Sequence, residues 1–199
     1  MKKKIYLLGL FAATYLAYFP INRLLVNSQI FKFPLDDLIP LIPVFSVPYL
    51  IFLPLLVFLP VLFFLKAPEN IFKSLMLAGV IATLISYLIF FVFPTSIVKP
   101  TVAGADIFSQ LVRLIYTHDY PYTLFPSGHT LNTVIFAFYL NKWKPGYLLP
   151  IGLVSLSIIL STLFVRQHYL PDILGGLLLG GTAAFLSWRK VLKKSVSPH

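Results

Sequence analysis

The chain has 199 residues, of which 58% are hydrophobic and 11% charged, with a formal net charge of +10 and no cysteine. The hydrophobic share lies far above soluble globular usage and leaves no room for a separate soluble domain, and the missing cysteine excludes disulfides, thiolate chemistry and cysteine-ligated zinc. The positive charges sit in short loops and tails between apolar runs, where Lys and Arg set topology and meet anionic lipid heads, so they do not point to nucleic acid.

The apolar runs have about the length a helix needs to cross a hydrocarbon core of roughly 30 Å. The expected architecture is all-α, a single polytopic membrane domain over residues 1–199 with six transmembrane helices. The first span covers Ile5 to about Ile21 behind Lys2, Lys3 and Lys4. No small-residue cleavage site follows it cleanly, so it reads as an uncleaved helix. Residues 24–40 form a loop with Asp36 and Asp37. The second span, about Leu41 to Leu65, contains Pro43, Pro48, Pro54 and Pro60. Interior prolines remove helix hydrogen bonds, so a kinked span is expected.

The third span covers about Ile71 to Phe93 and stops at Pro94. In the long loop 94–126 that follows, apolar residues recur near helical spacing over 104–117, the pattern of a short interfacial helix. The fourth span, about Ser127 to Leu140, is short; the fifth runs from Tyr147 to Val165 and the sixth from Pro171 to about Trp188. Gly176 and Gly180 form a G-x-x-x-G pair in the sixth, a signal for close helix packing.

Six spans put both termini on one side. That side carries Lys2, Lys3, Lys4, Lys66, Lys73, Lys142, Lys144, Arg189, Lys190, Lys193 and Lys194; the other has Arg23, Lys32, Lys99, Arg113 and Arg166. The positive-inside bias makes the termini cytoplasmic, in a plasma membrane, and the compact chain suits a prokaryotic source. Five of the six carboxylates and two histidine-bearing segments then face outward.

Those segments are Phe125-Pro126-Ser127-Gly128-His129-Thr130 and Arg166-Gln167-His168-Tyr169-Leu170-Pro171-Asp172. Pro126-Ser127-Gly128-His129 directly before an apolar run reads as a helix start with Ser127 as N-cap. A helix N-terminus presents unpaired N–H groups and partial positive charge to a phosphate, and Gly128 permits close backbone approach. His168 and Asp172 stand four apart at the start of the sixth helix. A carboxylate bonded to one imidazole nitrogen fixes the tautomer and leaves the other nitrogen as nucleophile or base. A second histidine, His129, then serves as general acid. Lys99, Arg113 and Arg166 are the cations expected on the same side to neutralise phosphoryl charge. Arg166, two residues from His168, reaches the site only if the chain turns there without a helix. Two histidines and one aspartate make a thin metal site, so neither a metal nor a cofactor is expected. His118-Asp119 reads as an exposed loop pair.

The motif Pro126-Ser127-Gly128-His129, with His168-x-x-x-Asp172 downstream, resembles the type 2 phosphatidic acid phosphatase (PAP2) superfamily over about residues 71–188. The family motifs are K-x6-R-P, P-S-G-H and S-R-x5-H-x3-D. The second is intact. The third stands as Ser161-Thr162-x5-His168-x3-Asp172, with threonine in the arginine position, and the first survives only as Lys99-Pro100, with Val92 in place of its lysine. The resemblance implies a six-helix membrane core and metal-independent phosphoryl transfer through a phosphohistidine. It makes His168 the nucleophile, Asp172 its orienting partner, His129 the general acid, and Ser127, Gly128 and Lys99 phosphate ligands. The implied activity is hydrolysis of a lipid phosphate or diphosphate (phosphatidate, phosphatidylglycerol phosphate or polyprenyl diphosphate), with membrane lipids as the other partners. The alternative within the superfamily is a head-group phosphotransferase like the sphingomyelin and inositol-phosphorylceramide synthases. A transporter is disfavoured because the ionisable residues cluster at span ends rather than at mid-membrane.

Overall fold

The computed structural model describes residues 1–25 and 28–196; the side chains of Lys193 and Lys194, and all of His199, lie outside the described set. The described chain is all-α apart from one two-residue parallel pair, β1 (Gln29–Ile30) with β2 (Thr95–Ser96). The helices are α1 (Lys2–Leu16), α2 (Tyr18–Leu24), α3 (Ser46–Lys66), α4 (Glu69–Val92), α5 (Ile107–His118), α6 (Gly128–Trp143), α7 (Leu148–Phe164) and α8 (Leu170–Val196).

Among the described residues, five helical stretches are long and apolar enough to cross a membrane: Lys2–Leu24, Pro43–Lys66, Glu69–Val92, Pro145–Phe164 and Leu170–Val191. The expected fourth span is α6, whose 16 residues cover about 24 Å, short of the roughly 20 residues a bilayer asks for. The count of six therefore holds by length and composition for five. α6 is short because Pro126-Ser127 opens it and Lys144-Pro145 closes it, and it is flanked by protein. Thr130, Leu131, Asn132, Thr133, Ile135, Phe136 and Tyr139 are all buried, and α6 packs on α4, α7 and α8.

The remaining elements follow local rules. α3 continues through Pro54 and Pro60, whereas Pro43 starts a 3₁₀ turn ahead of it and Pro48 falls in its first turn, where no intrahelical bond is lost. α5 is the short helix expected over 104–117, amphipathic and capped by Asp106, whose carboxylate accepts the N–H groups of Phe108 (2.9 Å) and Ser109 (3.1 Å).

The core is centred on α4, α6 and α8, with Phe63, Phe72, Leu75, Met76, Leu131, Ile135, Tyr139 and Ala184 almost fully buried. Two of the polar groups inside it are paired: the Ser74 and Tyr139 hydroxyls lie 2.7 Å apart, and Tyr139 also meets the Ala184 carbonyl at 3.0 Å. The G-x-x-x-G pair seats α8 directly on α6. A Cβ on Gly176 would stand 2.8 Å from the Ser127 carbonyl oxygen, and one on Gly180 would stand 2.6 Å from that of Leu131. Backbones come this close because glycine presents no side chain at the contact, and the close approach holds the starts of α6 and α8 together.

Contacts divide the bundle into two ends. At one, Lys4 lies over Phe64 and Phe72, Phe63 meets Trp143, and Tyr139 meets Trp188. At the other, Asn22 reaches Thr123, Phe125 reaches Thr95, and Asp36 reaches Leu170. The second end gathers the loops after α2, α4 and α7, and it carries both histidine segments.

Candidate active site

Ser127 sits immediately before α6 as its N-cap, with extended backbone, and its hydroxyl oxygen accepts the Thr130 N–H at 3.3 Å. This is the cap expected from Pro-Ser-Gly, and it sets His129 in the first turn. The Ser127 N–H donates to the main-chain carbonyl of Asp172 at 2.9 Å, so the two motifs share a backbone hydrogen bond.

The second motif follows α7, which ends at Phe164. The chain then turns through Val165 to Tyr169 without a helix, and Arg166 adopts a left-handed conformation with φ 54°. The Gln167 and His168 N–H groups both donate to the Thr162 carbonyl, at 2.9 and 3.1 Å, which folds the turn back onto α7. Thr162, standing in the family's arginine position, is fully buried and gives its hydroxyl proton to the Ile159 carbonyl. The turn thus rests on the threonine's backbone carbonyl, and the side chain offers no charge to the site.

Asp172 lies in the first turn of α8 and is 1% exposed. Its Oδ2 lies 3.3 Å from His168 Nδ1 and accepts the Tyr169 N–H at 2.9 Å. The carboxylate thereby engages Nδ1 and leaves Nε2 of His168 as the free nitrogen. The rings of His129 and His168 face each other edge-on with centroids 5.8 Å apart. His129 is further held between Tyr49, stacked at 4.5 Å, and Phe52 at 4.4 Å, both from α3. Among the described residues, seven side-chain polar atoms are buried without a hydrogen-bond partner, and three of them, His129 Nε2, Asp172 Oδ1 and Gln167 Nε2, belong to the two motifs; the others are on Asn22, Ser46, Thr130 and Thr133. Orphaned buried polar atoms in such a cluster are the mark of a site awaiting a ligand or water.

The three expected cations take different places. Lys99 gives its ammonium protons to the carbonyls of Tyr116 (3.4 Å) and Asp119 at the end of α5, and burial pulls its pKa down, partly offset by the Asp119 charge. Asp119 in turn accepts the Tyr49 hydroxyl proton at 2.6 Å, so Lys99 reaches the ring stacked on His129 through one intermediary, Asp119. Arg113 is exposed and donates to the carbonyls of Val102 (3.0 Å) and Gly104 (2.7 Å), with no contact to either histidine. Arg166 donates from Nη1 to the carbonyls of Asp36 (2.5 Å) and Ile39 (2.9 Å), in the turn where the chain places it beside His168. His118 is exposed and bonds only within α5, while its neighbour Asp119 is half-buried against Tyr49.

Sequence reasoning passed over Tyr49, Phe52 and Asp36. The aromatic pair carries no sequence signal, since Tyr and Phe are everywhere in this chain. Asp36 does carry one: a carboxylate in an apolar stretch must find partners if it is buried.

The family model described as the PAP2 superfamily matches residues 71–195, more than half of the chain. No curated protein and no solved structure is significantly similar to it. The matched range takes in both histidine motifs, all of α6 and α7, and the shared backbone bond between the motifs. With five helices apolar and long enough to cross a membrane, the chain belongs to the PAP2 superfamily and is a membrane protein of that phosphatase family.

Proposed function

We propose that the protein hydrolyses a lipid phosphate or diphosphate by way of a phosphohistidine on His168. The observation that carries this reading is the buried His168–Asp172 pair with the His129 ring 5.8 Å from that of His168. In the first step Nε2 of His168 attacks phosphorus, an N–P bond forms and the P–O bond to the lipid breaks. His129 supplies the proton that the departing oxygen takes. In the second step water attacks phosphorus, His129 takes its proton back, the N–P bond breaks and orthophosphate leaves. Asp172 stabilises the charge that appears on the His168 ring at Nδ1.

Charge on the phosphoryl oxygens is met at the start of α6, where Gly128 supplies an N–H group at a helix N-terminus and Ser127 its hydroxyl, and by Arg166. Lys99, in the loop before α5, contributes positive potential from beside that helix's C-terminal end. Arg113, bonded to exposed carbonyls, is the weakest of the proposed ligands. No metal enters the scheme. The apolar exterior around this end keeps a lipid tail in the bilayer while the head group meets the histidines. By the lysine and arginine bias, this end faces out of the cytoplasm of a prokaryotic plasma membrane.

The test is phosphate release by the full-length protein in detergent with excess chelator, on phosphatidate, phosphatidylglycerol phosphate and a prenyl diphosphate. Release is expected to survive chelation and to fall on the order of 10⁴-fold or more in His168→Ala. Equal release by the variant would remove His168 from the mechanism. Release that appears only when an alcohol acceptor is supplied would assign the protein to the phosphotransferases.

A further inference from the structure

We propose that Asp36 is a positioning residue of this active site, holding the Arg166 guanidinium against the phosphate-binding position. The residue comes from the loop before α3, outside the range matched by the family. The inference rests on the reading that Arg166 meets the substrate phosphate.

Asp36 is 1% exposed, a burial that a carboxylate tolerates only with partners. Its Oδ2 accepts the Phe33 N–H at 2.7 Å, which closes its own 3₁₀ turn, Pro34–Leu38. Its Oδ1 accepts the Leu170 N–H at 2.7 Å. Leu170 is the first residue of α8, so Asp36 caps that helix from a distant loop, placing negative charge at a helix N-terminus. Asp172 serves the same helix end from within, through the Tyr169 N–H. The turn carrying His168 is therefore held between two carboxylates, one of them 134 residues upstream of the N–H it binds.

The same turn of the Asp36 loop grips Arg166. Both bonds from Nη1, to the carbonyls of Asp36 and Ile39, are spent on it. A guanidinium has five N–H donors. Nε and Nη2 have no hydrogen-bond partner among the described residues, so they stay available for a planar, two-pronged contact with phosphate. The backbone supports this assignment. Arg166 sits at φ 54°, which costs any residue with a Cβ and which glycine adopts freely. A strained arginine anchored to a buried loop makes sense if its side chain is used. It also answers the loss of the family's arginine at Thr162, by bringing a cation in from the other side of the turn.

A merely structural cap and a positioning residue differ in how they combine with Arg166. The experiment is a double-mutant cycle on the full-length protein in detergent, reading kcat and KM for phosphate release from the best substrate of the three-lipid panel. Asp36→Ala and Arg166→Gly are each expected to lower kcat/KM by about 10- to 100-fold, the usual cost of a misplaced group. The double variant is expected to be within about 3-fold of Arg166→Gly alone, because the first change acts through the residue removed by the second. Asp36→Asn keeps one acceptor oxygen and is expected to recover most of the loss seen in Asp36→Ala. If Asp36→Ala does not fold, Asp36→Ser, whose shorter side chain does not span both N–H groups, is put through the same cycle with the same expectation.

Losses that multiply in the double variant would overturn the proposal and leave Asp36 as a cap. An Arg166→Gly variant with wild-type kcat/KM would overturn it through Arg166, while the loss in His168→Ala would keep the hydrolase reading standing. Absence of release from the wild-type protein on all three lipids would sink both together.

Discussion

The two ends of the bundle both rest cations on aromatic rings, and they differ in that only one of them buries carboxylates. At the end with Lys4, Trp143 and Trp188, cations rest on aromatic faces: Lys4 over Phe64 and Phe72, Lys142 over Phe138 and Trp188. Its one carboxylate, Glu69, is exposed and paired with Lys73. At the histidine end two carboxylates go inside, while Asp37 stays exposed and paired with Lys32 and Asp106 stays exposed as the cap of α5. Asp36 and Asp172 are both 1% exposed, bonded to backbone N–H groups rather than to a lysine or arginine. Burying charge is costly, and a chain this apolar has no general need of it. The difference teaches that the first end is built for seating in an interface, and the second for holding a few polar groups in fixed relation.

The comparison breaks most severely at Asp172. Asp172→Asn replaces the carboxylate at His168 Nδ1 with an amide and removes the charge that supports an imidazolium. A fall in kcat on the order of 10²- to 10⁴-fold is expected, with thermal stability changed far less than activity. Activity within 10-fold of wild type would mean that the pair is a helix cap and no catalytic couple.

A smaller effect is expected from forcing the two motifs apart. Gly180→Leu drives a side chain against the Leu131 backbone, which cannot yield as a flexible side chain would. A loss of about 1–3 kcal/mol in unfolding measurements is expected, with a parallel loss of activity because α6 carries His129. Unchanged stability would show that α6 and α8 have slack between them.

The smallest effect belongs to the opposite end. The pair Lys142→Gln and Lys144→Gln removes two cations that touch only aromatic rings. Stability should shift by no more than about 1 kcal/mol and kcat/KM should stay within about 2-fold of wild type. A large loss of activity would mean that the two ends are coupled, against the separation of roles drawn from their contacts.

Much of this molecule is local and therefore legible in the chain itself. Apolar run length fixed the all-α membrane class, because a bilayer demands about 20 such residues per crossing whatever they later pack against. Pro126-Ser127-Gly128 announced the start of α6, since a cap is decided by neighbours a few residues away. The i, i+4 spacing of His168 and Asp172 brought their side chains together across one turn at the start of α8. Gly176 and Gly180 declared a close helix contact, though not with which helix.

What remained was decided by distance in space. That α6 is a short, buried strut among longer helices follows from how α4, α7 and α8 surround it, and hydropathy cannot see that. The fates of Lys99, Arg113 and Arg166 also lay beyond the sequence, because a long cationic side chain goes to whichever carbonyls the fold leaves unpaired. Asp36 is the clearest instance. Its own neighbours explain one hydrogen bond, to Phe33, and only the assembled bundle supplies the others, across more than a hundred residues of chain. The sequence by itself determined the family motifs and the groups that do the chemistry. Tertiary structure alone decided which loop and which aromatic rings hold those groups in place, because packing, unlike capping and spacing, is a property of residues that are neighbours only after folding.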